Sequence, residues 1–206
     1  MYSKKVLKYF FHPKNVGVIK NPTVKVTEGS LACGDMVTLY MKVDKNDIIK
    51  DVKFKSYGCA ANIATISLLT EMIKGKSIEY AKQIDYNTLN KELGGLPLTK
   101  VHCSALAIDS LKEAIQLYEE KKGIIKHERI DEEFLRKRLR HVIYPKNGKD
   151  IISSGMLKSI KLKDGVARIE IIMEKDDAFK EVVTDEIKER LEALREIKKV
   201  EVVVVK

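Results

Sequence analysis

Phe54-Lys55-Ser56-Tyr57-Gly58-Cys59-Ala60-Ala61 joins the end of a strand to the start of a helix through a glycine turn, with a thiol at the junction. The strand reads back to Ile48, and the helix reads forward to Ile73, where Lys74-Gly75 stops it. Upstream, residues 24–27 and Met36–Val43 read as two further strands, and Asp44-Lys45-Asn46-Asp47 supplies the turn between the second and third. A short helix over 3–11 comes first and ends at His12-Pro13. Downstream, Ser77-Ile78-Glu79 opens a short helix, a second helical stretch covers 87–93, and Pro97 interrupts the pattern. Ala105, Ile108, Leu111, Ile115 and Tyr118 then mark one face of a long helix.

Arginine usage divides the chain. Residues 1–123 contain lysine but no arginine and hold all three cysteines; all seven arginines follow. Gly123 is placed to end the long helix, so the expected organisation is a domain over 1–123, a linker over 124–130 and a domain over 131–206. The second domain reads as a helix over 131–141, a hairpin of Leu157–Lys163 and 166–173 turning at Asp164-Gly165, a helix over 177–194 and a strand over 200–205. That order, α-β-β-α-β, is a small α+β unit.

The chain of 206 residues is 44% hydrophobic and 33% charged, enough apolar material for packed cores. It has no run of ~18 apolar residues and no signal-like block after Met1-Tyr2-Ser3-Lys4-Lys5, so a cytoplasmic protein with no membrane partner is expected. The net charge of +9 permits nucleic-acid binding, but tryptophan is absent and no stretch interleaves basic and aromatic residues. Acidic protein partners are therefore expected in place of nucleic acid. Arg136, Lys137, Arg138 and Arg140 follow Asp131, Glu132 and Glu133 on one helix; acids at its start and bases at its end suit the dipole, and a solvated face is expected.

An odd cysteine count argues against a disulfide framework. Cys33 lies in Leu31-Ala32-Cys33-Gly34-Asp35, between strands, while Cys59 and Cys103 lie near helix starts, where exposed amides and the dipole favour thiolate. A lone cysteine is more often a small buried hydrophobe. Three at element junctions, with Asp35 and His102 each within two residues of a thiol, point to a metal or thiol site. As a loop residue between small neighbours, Asp35 is expected to carry little packing. The spacing of 25 and 43 intervening residues is no zinc-finger signature.

In order along the chain stand Tyr2-Ser3-Lys4-Lys5-Val6, Pro13-Lys14-Asn15-Val16-Gly17, Ala32-Cys33-Gly34-Asp35, Phe54-Lys55-Ser56-Tyr57-Gly58-Cys59 and Lys100-Val101-His102-Cys103-Ser104. With them, residues 1–122 resemble an iron–sulfur cluster assembly scaffold of the IscU type, equivalent to the N-terminal domain of NifU. The resemblance implies a three-stranded antiparallel sheet packed by helices. It implies that Cys33, Cys59 and Cys103 hold a [2Fe–2S] cluster and its iron, with Asp35 and His102 as labile fourth ligands. It further implies sulfur delivery by a cysteine desulfurase and cluster transfer to apo iron–sulfur proteins, and it is compatible with a homodimer. Cys103, flanked by His102 and Lys100, is the expected persulfide acceptor. Such a protein is a scaffold and not an enzyme, since the desulfurase breaks the bond. The alternative is a zinc-bound sulfur acceptor that activates a desulfurase, as in the related SufU type; that type carries an insertion before the third cysteine and lacks the histidine, whereas His102 is present here. Leu96-Pro97-Leu98-Thr99-Lys100 departs from the Leu-Pro-Pro-Val-Lys that an Hsp70-type chaperone recognises in many relatives.

The second domain, 132–205, resembles the small iron–sulfur assembly domain found alone or at the N-terminus of cluster-carrier ATPases, on the loop Val142-Ile143-Tyr144-Pro145-Lys146-Asn147-Gly148-Lys149 and the following Gly155-Met156-Leu157. Tyr144 and Lys146 replace the usual aspartate and glutamate, and Glu174-Lys175-Asp176-Asp177 lacks the cysteine of many members, so no metal site is assigned there.

Overall fold

The computed structural model describes residues 1–30, 34–174 and 176–205. It divides into two compact units, Met1–Ile115 and Gln116–Lys206. Among the described residues no helix is long and apolar enough to cross a membrane.

In the first unit, helix α1 (Lys4–Phe11) starts where the Ser3 hydroxyl accepts from the Val6 N–H at 3.1 Å. Strands β1 (Val24–Gly29), β2 (Met36–Val43) and β3 (Ile49–Tyr57) form an antiparallel meander in that order. Val37, Leu39 and Met41 alternate inward on β2, as period-two side chains on a one-sided sheet must. Helix α2 (Ala60–Ile73) packs on α1 and β3 and is buried almost all round. It carries one charged residue, Glu71, and buries even its polar side chains, which suits a central helix. Helices α3 (Ile78–Lys82) and α4 (Tyr86–Glu92) follow, capped by Ser77 and Asp85. A single 3-10 turn, Leu98–Lys100, leads into the long helix α5 (Val101–Lys122). Tyr9 of α1 donates to Glu71 of α2; burial, then that carboxylate, pushes the phenol up to about 12.

The second unit begins in the last turns of α5. Gly123 ends the helix with φ +76°, a conformation that favours glycine. Helix α6 (Glu132–Leu139) is followed by a two-residue pair, β4 (Ile143–Tyr144) with β5 (Lys149–Asp150). Strands β6 (Leu157–Lys163) and β7 (Val166–Ile172) form the antiparallel hairpin, and helix α7 (Lys180–Glu192) carries the chain to β8 (Lys199–Val205), parallel to β7. Ala167, Ile169 and Ile171 of β7 meet Leu135, Val183 and Ile187 of the helices in one core.

Two expectations for this unit are corrected, and the β4–β5 pair is added to it, since two-residue strands carry no periodicity to read. Helix α7 starts at Lys180, not near Asp177, because Asp177 is engaged outside it: one oxygen accepts from the Phe179 N–H at 2.8 Å and the other from the Tyr144 hydroxyl. The basic run of α6 is only partly solvated. Lys137 pairs with Glu133 at 3.0 Å in the open, but Arg138 is 7% exposed and bonded to Glu120, itself 1% exposed. Glu120 also lies 2.9 Å from His127 Nε2 and accepts from Gln116 Nε2 at 3.0 Å.

The Tyr144 hydroxyl, then the Phe179 amide, hold Asp177 below the ordinary carboxylate range, while the same bond pushes Tyr144 up to about 12. A depressed carboxylate stabilises the fold above its unfolded pKa of about 3.9, and that contribution is lost as pH falls through the folded value. Tyr144→Phe is therefore expected to raise the Asp177 midpoint in an NMR pH titration and to bring acid unfolding of this unit to a higher pH. An unchanged midpoint would show that the hydroxyl does not hold the carboxylate.

Candidate functional site

Three separated segments converge at one end of the first unit. Asp35 stands immediately before β2, where its carbonyl accepts from the Ser30 N–H at 2.9 Å. Cys59 is the residue before α2, in extended conformation (φ −75°, ψ 168°), and its side chain makes no capping bond to the helix. His102 and Cys103 occupy the first turn of α5, which the 3-10 turn over Leu98–Lys100 delivers.

Cys59 Sγ and Cys103 Sγ lie 3.7 Å apart, and Cys103 Sγ lies 3.9 Å from Asp35 Oδ2. A tetrahedral ion with metal–sulfur bonds near 2.3 Å sets sulfur–sulfur edges of about 3.8 Å. The two thiols thus stand at the separation a shared metal demands. Asp35, His102 and Cys103 offer ligand atoms within 4.8 Å of one another. His102 Nε2 is buried with no hydrogen-bond partner among the described residues. A buried ring nitrogen in that state is costly, and coordination or a bound donor would satisfy it. The donor set of soft sulfur, borderline nitrogen and hard oxygen suits zinc or iron and excludes none of the ligands expected from the sequence. Cys33 lies outside the described residues.

One expectation needs revision. Asp35 is not a lightly packed loop residue: it is 7% exposed. A Cβ on Gly58 would lie 2.8 Å from Asp35 Cγ, so glycine at 58 is what lets the carboxylate close down on the turn. The charge of Cys59 chiefly, and that of Cys103 more weakly, hold the Lys100 ammonium above its ordinary pKa.

The sequence reading passed over Asn62. It stands in the first turn of α2, fully buried, and its amide nitrogen lies 2.5 Å from the point a Gly58 Cβ would occupy. A carboxamide three residues after a candidate ligand, among alanines, was the available signal.

Residues 1–124 match the family model described as the NifU-like N terminal domain, and the chain belongs to that family. Residues 132–204 match a second one, described as iron–sulfur cluster assembly protein. Over 125 residues the chain is 50% identical to the iron–sulfur cluster assembly scaffold protein IscU 1 of Archaeoglobus fulgidus, covering 61% of this chain and 81% of that one. Over 123 residues it is 46% identical to the IscU scaffold protein of Aquifex aeolicus, covering 59% and 78%. A crystal structure of a nitrogen-fixing NifU-like protein (N-terminal) from Brucella abortus aligns with a TM-score of 0.47 and 21% identity, over 58% of this chain and 94% of that one.

Proposed function

We propose that this chain is a cytoplasmic scaffold on which [2Fe–2S] clusters are assembled and from which they pass to apo-proteins. The observation that carries the reading is the convergence of Cys59, Cys103, Asp35 and His102 from three segments onto one point, with the thiols 3.7 Å apart. The IscU relatives, named as scaffolds, support it. Cys33, Cys59 and Cys103 supply thiolates, and Asp35 and His102 compete for the remaining position.

Sulfur arrives as a persulfide on a cysteine desulfurase. The Cys103 thiolate attacks the terminal sulfur, the sulfur–sulfur bond breaks, and the desulfurase thiolate leaves. Two electrons from an external donor then release sulfide and restore the Cys103 thiolate, and iron(II) joins it among the ligands. The desulfurase, not this chain, breaks the carbon–sulfur bond, so the scaffold is no enzyme. Cys103 is buried, so the acceptor step requires the site to open. Leu98, 93% exposed beside the site, leaves the 96–100 segment accessible to a chaperone of the Hsp70 type.

Anaerobic reconstitution with iron(II) and sulfide, read by absorption and by iron and sulfide analysis, tests the reading. About two irons and two sulfides per cluster are expected. Stoichiometric zinc in a protein that accepts persulfide but never forms a cluster would replace it with the zinc-bound sulfur acceptor.

Asp35→Ala removes a hard ligand that exchanges readily among soft thiolates. The assembled cluster is expected to persist several-fold longer and to transfer more slowly to an apo-ferredoxin. Transfer at the wild-type rate would make Asp35 a packing residue only. Because Asp35 is buried, thermal melts of the metal-free variant accompany the kinetics.

A further inference from the structure

Helix α2 buries four polar side chains, Asn62, Thr65, Ser67 and Thr70. Thr65 donates to the Ala61 carbonyl at 2.6 Å, Thr70 donates to the Ser67 carbonyl at 2.8 Å, and the Ser67 hydroxyl accepts from the Lys14 N–H at 2.7 Å. Asn62 differs: it is 0% exposed, and neither its amide nitrogen nor its oxygen has a partner among the described residues. Burying a carboxamide without partners is costly, and native structures rarely keep one unless another state of the protein satisfies it.

The geometry names that partner. Asn62 Nδ2 and Asp35 Cγ lie within 2.8 Å of one point, the position a Gly58 Cβ would fill. The absent Cβ leaves room in which the Asn62 amide nitrogen and the Asp35 side chain approach each other, with Asp35 Cβ 3.1 Å from the same point. On its other side the carboxylate faces Cys103, with Oδ2 at 3.9 Å from Sγ. A carboxylate that binds a metal through one oxygen leaves the second in need of a donor, and such outer hydrogen bonds fix the orientation of the ligand.

We propose that Asn62 is a positioning residue for Asp35, donating an amide N–H to its carboxylate when the site is loaded. This rests on the reading of Asp35 as a ligand. Asn62 needs no contact with the metal or the cluster; it acts through Asp35 alone.

Cobalt(II), added anaerobically to the full chain, is the probe, since its ligand-field bands report the donor set and its titration reports affinity. Asn62→Leu keeps the volume and removes the donor. It is expected to move the cobalt bands toward those of Asp35→Ala and to weaken binding on the order of ten-fold, the cost typical of losing an outer-shell partner. The metal-free melting temperature should be unchanged or higher, because an unpartnered amide is replaced by an apolar group of similar size. In an Asp35→Ala background, Asn62→Leu should change nothing further. Wild-type bands and affinity in Asn62→Leu, or an equal loss with Asp35 already removed, would overturn the proposal while leaving the scaffold reading intact. Cobalt spectra of Asp35→Ala superimposable on wild type would instead remove Asp35 from the ligands, and this inference with it.

Discussion

Replacing Cys59 or Cys103 by serine is expected to reduce reconstituted cluster at least roughly ten-fold, because a soft thiolate gives way to a harder, poorly ionised hydroxyl. The two sulfurs stand 3.7 Å apart, so each replacement also removes one of a pair that a single iron would share. The effect should come without unfolding. Cys59 makes no capping bond, and serine, a better helix-starting residue, can supply one to α2. Cys103 is buried, so its serine variant carries the greater stability cost, and circular dichroism alongside the cluster absorption separates the two effects. The same loss is expected for Cys33→Ser. A variant that holds a cluster of unchanged spectrum and lifetime would take its cysteine out of the site.

The second large effect concerns stability. Glu120→Ala is expected to destabilise the second unit by about 3–5 kcal/mol, since removing one member of a buried ion pair leaves the other charge uncompensated. Glu120 is 1% exposed and receives Arg138, His127 and Gln116 together. Arg138→Met should cost less than the glutamate change if the carboxylate keeps His127 as partner. Urea unfolding of both variants, followed by a probe in the second unit, measures the difference. A loss below about 1 kcal/mol for Glu120→Ala would place the pair with ordinary surface bridges.

Much of the fold could be read directly where local chemistry leaves one solution. Asp164-Gly165 demanded a hairpin turn, and both residues have positive φ, 51° and 80°, as a tight two-residue turn between twisted strands requires. The Gly58-Cys59 junction behaved similarly, with a glycine, a small-residue helix start and the thiol before Ala60. What could not be read depends on partners distant in sequence. Arg138 sits in a basic run whose other members face water, and Glu120, on another helix, holds it inside. Asp35 reads as a turn aspartate until Gly58, on the neighbouring strand's exit, lets it close. The candidate ligands could be named from their types and junction positions, but Asn62 could not be tied to Asp35, because its local signal, a carboxamide among alanines, says nothing of a carboxylate 27 positions earlier.

The parallel pairing of β7 with β8 has a kinetic consequence. The β6–β7 hairpin closes across two residues and needs no other part of the chain. The β7–β8 ladder, running from Val166↔Lys199 to Ile172↔Val205, can form only after α7 has folded back across the sheet, so its loop-closure entropy falls due before any contact rewards it. During that interval Ile169 and Ile171 lie along an unpaired strand edge, and the rate at which α7 docks sets how long this apolar edge is open to another chain.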